Sequence, residues 1–221
     1  MKYTLITFLL IVSAFSCSKS QSKPDNQDDE EVYFKGWGAF STDDPEGTKF
    51  NLPEGIEFLE AVPFTMAEDD SCYHKDPTSE KAIGNGELVT VCVSFYNKTD
   101  KPITLNLPPG LVLISRDKKV QNGILVLPAS YEIQPRSVDY HQFNLQCMNG
   151  SRSGSGAGSY WDLGPVTNAK PAVELFKFLE TKKIDKDVKA GAVVQVAIQQ
   201  IGDQGYIDEF IWPSLRQLPD K

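Results

Sequence analysis

Three cysteines of this sequence, Cys72, Cys92 and Cys147, can form a disulfide in an oxidising compartment. Within the apolar run 88–96, Cys92 alternates with the valines and therefore faces away from their side of a strand. Cys147 shares a face with the apolar residues before it, which predicts a small buried hydrophobe. Cys72 stands in a polar segment that can reach either partner. We predict a Cys72–Cys92 disulfide and an unpaired Cys147.

A fourth cysteine, Cys17, follows a short apolar stretch of the kind that directs export. The stretch 5–15 has eleven residues, whereas a spanning helix needs roughly 20 to cross the hydrocarbon of a bilayer. The residues Ala14-Phe15-Ser16-Cys17 resemble the lipobox of bacterial lipoproteins, with Ala14 where Leu is usual and a bulky Phe15. This resemblance implies removal of a signal peptide, 1–16, and attachment of diacylglycerol and palmitate chains at Cys17. The alternative is an ordinary cleavable signal followed by an incidental cysteine.

The segment after Cys17 has the composition of a tether. Residues 18–31 include no apolar side chain, so the segment has nothing to bury that would offset the entropy cost of ordering it. We therefore predict a disordered, lipid-anchored tether over 17–31. As the lipoprotein resemblance implies, Ser18 favours the outer membrane, and the periplasmic and extracellular faces both stay open.

Cys147 has a second interpretation that involves Gln195. The run Val194-Gln195-Val196-Ala197 resembles the Thr-Gln-x-Ala motif of internal-thioester surface adhesins, with Val in place of Thr. In that family a strand cysteine is acylated by the glutamine side chain, and a partner's amine can attack the product. The resemblance implies a Cys147–Gln195 thioester and covalent adhesion. The alternative is an amphipathic helix with a solvated Gln195.

Charge and composition argue against several classes of function. The chain has 22 basic and 30 acidic residues, a net charge of −8, which would repel the phosphates of nucleic acids. Two histidines are too few for a histidine-built metal site, and 154–159 lacks the third glycine of a dinucleotide fingerprint. We therefore expect no catalytic motif, no cofactor and no metal. An envelope glycan hydrolase with paired carboxylates is the enzymatic alternative.

The first part of the mature chain has the pattern of a β-sandwich. Short β-branched and aromatic runs alternate with Gly, Pro, Asn and Asp, which predicts strands and turns over 32–150. The predicted strands cover 88–96, 103–107, 111–114, 123–127 and 138–148. Val89, Val91, Val93 and Phe95 give the clearest buried stripe. The turn residues of 97–110 resemble those of immunoglobulin-like bacterial surface modules, which implies an immunoglobulin-like sandwich.

Beyond Asn149 the pattern changes to a Gly/Ser loop and then to helices, over 151–221. A helix is predicted from Asn168, with Pro171 in its first turn. A second helix is predicted over 190–201, ended by Gly202, with a strand as the alternative because valines are frequent there. A third short element is predicted over 206–212, ended by Pro213. These helices should pack on the sandwich as a small C-terminal cap, because they are too few to form a core alone.

Together these features predict a mainly β protein with a helical cap that serves as a lipid-anchored, non-catalytic binding or structural module of the cell envelope. Its expected partners are the membrane, through the lipid, and a protein or glycan ligand at the surface.

Overall fold

The computed structural model describes residues 33–63, 72, 82–156 and 159–221. The predicted signal peptide, the predicted tether and Cys17 lie outside these residues. All described residues belong to one compact unit, which covers 31–221. In the described ranges, no helix has both the length and the apolar character required to cross a membrane.

Strands dominate the described chain, and helices follow them near the carboxyl end. The elements are β1 (Ile56–Pro63), β2 (Ala82–Gly84), β3 (Val89–Asn97), β4 (Ile103–Leu107), β5 (Leu111–Ser115), β6 (Gly123–Ile124), β7 (Ala129–Ile133), β8 (Val138–Cys147), β9 (Trp161–Val166), α1 (Lys170–Leu179), α2 (Val188–Gln204) and α3 (Trp212–Arg216). The prediction of a mainly β, sandwich-like fold with a small C-terminal helical region is confirmed.

The main sheet is organised around β8. Its strand order is β1-β3-β8-β6-β5-β9, and β2 adds to β8 in parallel, while β4 and β7 form a separate antiparallel pair. β8 is antiparallel to β3 along most of its length, with Val93 opposite His141 and Val89 opposite Leu145. Because side chains alternate along a strand, β8 presents one face to the sandwich interior and the other to the helices.

The sandwich interior is an apolar core. It buries the predicted stripe of β3 together with Phe143 and Leu145 of β8, Leu105 and Leu107 of β4, and Trp161 of β9. The indole nitrogen of Trp161 donates to the Gln121 carbonyl at 3.0 Å, so its one polar group is satisfied. Burial of each such side chain contributes roughly 1.5–3 kcal/mol.

A second apolar core lies between the sheet and the helices. α1 contributes Ala172, Leu175, Phe176 and Leu179, and α2 contributes Ala190, Val194, Ala197, Ile198 and Ile201. These residues recur at the helical spacing that the sequence shows, so the helix prediction for 190–201 is confirmed and its strand alternative is wrong. Asp187 caps α2 by accepting hydrogen bonds from the Lys189 and Ala190 amides.

Gly202 does not end α2, contrary to the prediction. The helix continues to Gln204, and Gly205 forms the C-cap with a left-handed φ of 82°. Gly202 instead permits close packing, because a Cβ atom there would lie 2.6 Å from the amide nitrogen of Gly38. A glycine inside a helix pattern therefore marks a contact here and not a stop.

Three other boundaries need correction. Pro213 lies in the first turn of α3 and does not terminate an element, since proline lacks the N–H that a first turn leaves unpaired. α1 is preceded by Ala169, without a side-chain cap from Asn168. The sheet also extends past the predicted boundary at residue 150, because β9 pairs with β5.

Candidate functional site

The structure joins Cys72 and Cys92 in a disulfide, the pair that the sequence predicts. Cys92 lies opposite Gln142 on the face of β3 that is turned away from the sandwich interior. Both cysteines are buried. The two cysteines are 20 residues apart in the sequence. A disulfide that closes a loop of this length lowers the conformational entropy of the unfolded chain and so stabilises the fold by about 3 kcal/mol.

Cys147 and Gln195 come together, but through the backbone of the cysteine. The Gln195 carboxamide accepts from the Cys147 amide at 2.7 Å and donates to its carbonyl at 2.9 Å. The Cys147 side chain belongs to the sandwich interior, and its thiol is free. Burial raises the pKa of this thiol to about 12. The carboxamide is therefore held on the peptide group and not on the sulfur.

The cavity with the most unusual chemistry lies at the amino end of α2. We name it the lysine-rimmed pocket, and its volume is about 350 Å³. It is lined by Ala82, Ile83, Gly84, Leu127, Pro128, Ala129, Ser130, Tyr131, His141, Lys182, Lys183, Ile184, Asp185, Lys186 and Lys221. This volume is near the lower end of the range of about 300–1,000 Å³ typical of small-molecule sites.

One wall of the pocket is fixed by the turn after β2. The Asn85 side chain donates to the Ile184 carbonyl at 3.0 Å, and the Gly84 amide donates to Asp185 at 3.3 Å. Gly84 has a φ of +85°, and a Cβ atom there would lie 2.4 Å from the Asn144 carbonyl oxygen. The Gly-Asn-Gly sequence, which predicts a turn, therefore also holds the loop that precedes α2.

A second part of the pocket lining is held by a buried lysine. Lys182 is 5% exposed, and its ammonium donates to the carbonyls of Arg216 and Leu218, each at 3.0 Å, and to the Asp220 carboxylate at 2.7 Å. The Lys221 amide donates to the Thr181 carbonyl. These bonds place the last residues of the chain at the rim of the pocket.

Two polar atoms at the pocket are buried without a partner. His141 is 8% exposed, and its Nε2 atom lies 3.0 Å from the Asp139 carboxylate. Its Nδ1 atom and the Tyr131 hydroxyl have no hydrogen-bond partner among the described residues. The two rings are in contact, with centroids 3.6 Å apart and planes tilted by 36°. Each such unpaired buried group costs about 1–3 kcal/mol of stability, and both atoms are shielded from solvent.

The surroundings of the two groups differ. The His141 ring is held by the contact of its Nε2 atom with Asp139. Burial, with a smaller contribution from Asp139, raises the pKa of Tyr131, so its hydroxyl is neutral. Both side chains belong to the buried part of the pocket lining.

The charge of the pocket is opposite to that of the chain. Its lining includes four lysines and one acidic side chain, Asp185, whereas the whole chain has a net charge of −8. Lys186 also adopts a left-handed backbone with a φ of 60°, which is uncommon for a residue other than glycine. The local excess of positive charge attracts anions.

Sequence reasoning did not find this pocket. His141 was considered only as one of two histidines, and Tyr131 and the lysines were not singled out. The sequence does contain one indication that Asp139 and His141 are neighbours. They are two residues apart on a predicted strand and so share a face.

The paired carboxylates of the hydrolase alternative are not brought together at this pocket, since Asp185 is the one acidic side chain among its described lining residues. In the described part of the chain, no three His, Cys, Asp or Glu residues are grouped as metal ligands would be. Comparison with family models, with curated proteins and with solved structures found no match to this chain.

Proposed function

We propose that this protein is a lipid-anchored binding module of the cell envelope that takes a small ligand in the lysine-rimmed pocket. The observation that supports the proposal is a cavity of ligand size whose described lining includes four lysines and one acidic side chain, in a chain with a net charge of −8. A concave, partly apolar cavity with a few convergent polar groups is the usual form of a small-molecule site.

The pocket and the first described residues lie at opposite ends of α2. Lys186 immediately precedes the N-cap of α2, whereas Gly38 packs against Gly202 near the other end of that helix. Sixteen residues separate Lys186 from Gly202, which corresponds to about 24 Å at 1.5 Å per residue. The Ala39 amide also donates to Asp203 at 2.7 Å, so the first described residues lie at the end of α2 remote from the pocket.

In this proposal the acyl chains on Cys17 hold the protein to the outer membrane.

The anchor is tested by Cys17→Ala, with Cys147→Ala as a control that removes a cysteine from the sandwich interior. We expect Cys17→Ala to release the protein from membranes or to leave its signal peptide uncut, measured by fractionation and apparent size. Cys147→Ala should fractionate like the unmodified protein. A Cys17→Ala protein that remains fully membrane-bound at mature size would overturn the lipoprotein part of the proposal.

A further inference from the structure

We propose that the lysine-rimmed pocket and an apolar cavity beside it together bind an amphiphilic anion, a carboxylate with a hydrocarbon chain of the fatty acid class. This inference rests on the proposed binding function and specifies its ligand.

The second cavity, which we name the apolar cavity, meets the lysine-rimmed pocket at the start of β7. Its volume is about 540 Å³, and its lining includes Phe50, Leu107 and Pro108. Residues 128–130 line both cavities. Because Pro128 and Ser130 are exposed, the two cavities meet at the surface of the protein. A ligand bound in one cavity can therefore extend into the other.

The apolar cavity selects a hydrocarbon group. Among the described residues that line it, only Asn106 and Ser130 have polar side chains, and none is charged. The Ser130 hydroxyl donates to the Asn106 carboxamide oxygen at 2.7 Å, so these two groups are already paired with each other. A hydrocarbon chain gains free energy when it leaves water for such a surface, whereas a polar group would lose its hydrogen bonds to water there.

The lysine-rimmed pocket selects a negative charge. Lys183, Lys186 and Lys221 line it, with Asp185 as the one opposing acidic side chain among the described lining residues. The Lys182 ammonium is already held by two carbonyls and a carboxylate, so the positive charge available to a ligand comes from the other three lysines. Such a local excess of positive charge attracts an anionic head group.

A molecule with a charge at one end and a hydrocarbon chain at the other uses both cavities. An inorganic anion would leave the apolar cavity unfilled, and a neutral hydrocarbon would leave the lysines without an opposite charge. Each methylene group that leaves water strengthens binding by about fourfold, so a chain that buries only two of them already gains more than tenfold.

The test is isothermal titration of the full processed chain in detergent micelles with octanoate, acetate and octanol, after subtraction of the same titrations into micelles without protein. Acetate has the charge without the chain, and octanol has the chain without the charge. We expect octanoate to bind at least tenfold more tightly than either of the other probes. Its affinity should fall as NaCl is raised from about 50 to about 500 mM, because salt screens exposed charges.

One variant tests the passage between the two cavities. Ser130→Trp places a large ring where the cavities meet, and aromatic side chains are well tolerated on strands. We expect it to weaken octanoate binding at least fivefold and to change acetate binding less than twofold. Thr104→Trp is the matched control, since Thr104 is exposed on the neighbouring strand β4 and lies outside both linings.

A second variant tests the head group. Lys186→Gln should weaken octanoate and acetate binding by the same factor, at least threefold, because both probes lose the same attraction. Lys189→Gln, on the exposed first turn of α2 and outside both linings, should leave both affinities unchanged. Thermal melts show whether each variant is folded, and Lys186→Gln with the three probes still tests the inference if Ser130→Trp does not fold.

Several outcomes would overturn the inference. Equal binding of acetate and octanoate would leave an anion-binding pocket, and with it the proposed function, but would exclude the chain. Equal binding of octanol and octanoate, with no effect of Lys186→Gln, would exclude the charged head group. If none of the three probes binds, the ligand class is wrong, while the Cys17→Ala fractionation still decides the anchored module separately.

Discussion

The two ends of α2 differ in how much space is left between the packed segments. At the carboxyl end, backbone packs directly against backbone at Gly38 and Gly202, and the Asn149 side chain donates to the carbonyls of Gly36 and Gly38 at 3.0 and 3.2 Å. At the amino end there is a cavity of about 350 Å³ with two buried atoms unpaired among the described residues.

This difference separates a structural end from a binding end. A closely packed junction fixes the relative positions of its segments but leaves no room for a ligand. A cavity leaves the atoms that line it without packing partners on one side, and it has room for a ligand. Changes at the carboxyl end should therefore affect folding most, and changes at the amino end should affect binding most.

The largest loss of stability is expected for Gly38→Ala. Gly38 has a φ of +91°, and a Cβ atom there would lie 2.6 Å from the Gly202 carbonyl oxygen. A left-handed alanine and an overpacked contact together should cost about 3 kcal/mol in the free energy of unfolding, measured by urea denaturation. Gly156→Ala is the matched control, since nothing lies within 4 Å of its Cβ position. Equal stability of the two variants would show that the carboxyl end is not tightly packed.

A smaller loss is expected for Lys182→Met at the amino end. This change keeps most of the side-chain volume but removes the donor to the Arg216 and Leu218 carbonyls, at a cost of about 2 kcal/mol. Hydrogen exchange at the Lys221 amide should accelerate as the last residues loosen. Lys183→Met, at an exposed neighbour, should stay within about 0.5 kcal/mol of the unmodified protein. A Lys182→Met protein of unchanged stability would mean that the hydrogen bonds of this lysine do not stabilise the last residues of the chain beside the pocket.

The buried thiol of Cys147, the last residue of β8, predicts a loss of stability in alkali. Its folded pKa is raised to about 12 from an ordinary value of 9.0, so its contribution is complete below pH 9 and is lost as pH rises toward 12. The expected slope is about 1.4 kcal/mol per pH unit over that range, and Cys147→Ala should have a flatter profile. The Gln195 contacts also predict an intact chain with no loss of about 17 Da as ammonia, and such a loss would favour the thioester.

The smallest effect on stability is expected for Tyr131→Phe, and its sign is the informative part. Removing a buried hydroxyl that has no partner among the described residues should leave the free energy of unfolding unchanged or raise it by up to about 1 kcal/mol. Tyr140→Phe, on β8 outside the pocket lining, is the comparison. A clear destabilisation by Tyr131→Phe alone would show that the hydroxyl is satisfied and that the pocket is structural.

The sequence was sufficient for features that depend on local pattern. Alternation along β3 separates Cys92 from the buried valines, and helical spacing identifies the buried face of α2. Local pattern was misleading where a glycine or a proline had two meanings, as at Gly202 and Pro213. A single sequence does not show whether a glycine ends a helix or makes room for another segment.

The pocket could not be predicted for a different reason. Tyr131 and His141 come from β7 and β8, whereas its lysines come from the loop before α2 and from the last residue of the chain. No spacing in the sequence relates positions as distant as Tyr131 and Lys221. The pocket depends on how β2 adds to β8 in parallel, and parallel pairing through a three-residue strand has no distinctive pattern.

The most direct test of the account is a map of backbone amide shifts in the ¹⁵N-labelled full chain as acetate, a small carboxylate, is added. The account predicts saturable shifts grouped at 82–84, 129–131, His141 and 182–186, with the amides around Gly38 and Gly202 unchanged. Shifts centred on the carboxyl end of α2, or none at any concentration, would contradict the assignment of the amino end as the binding end.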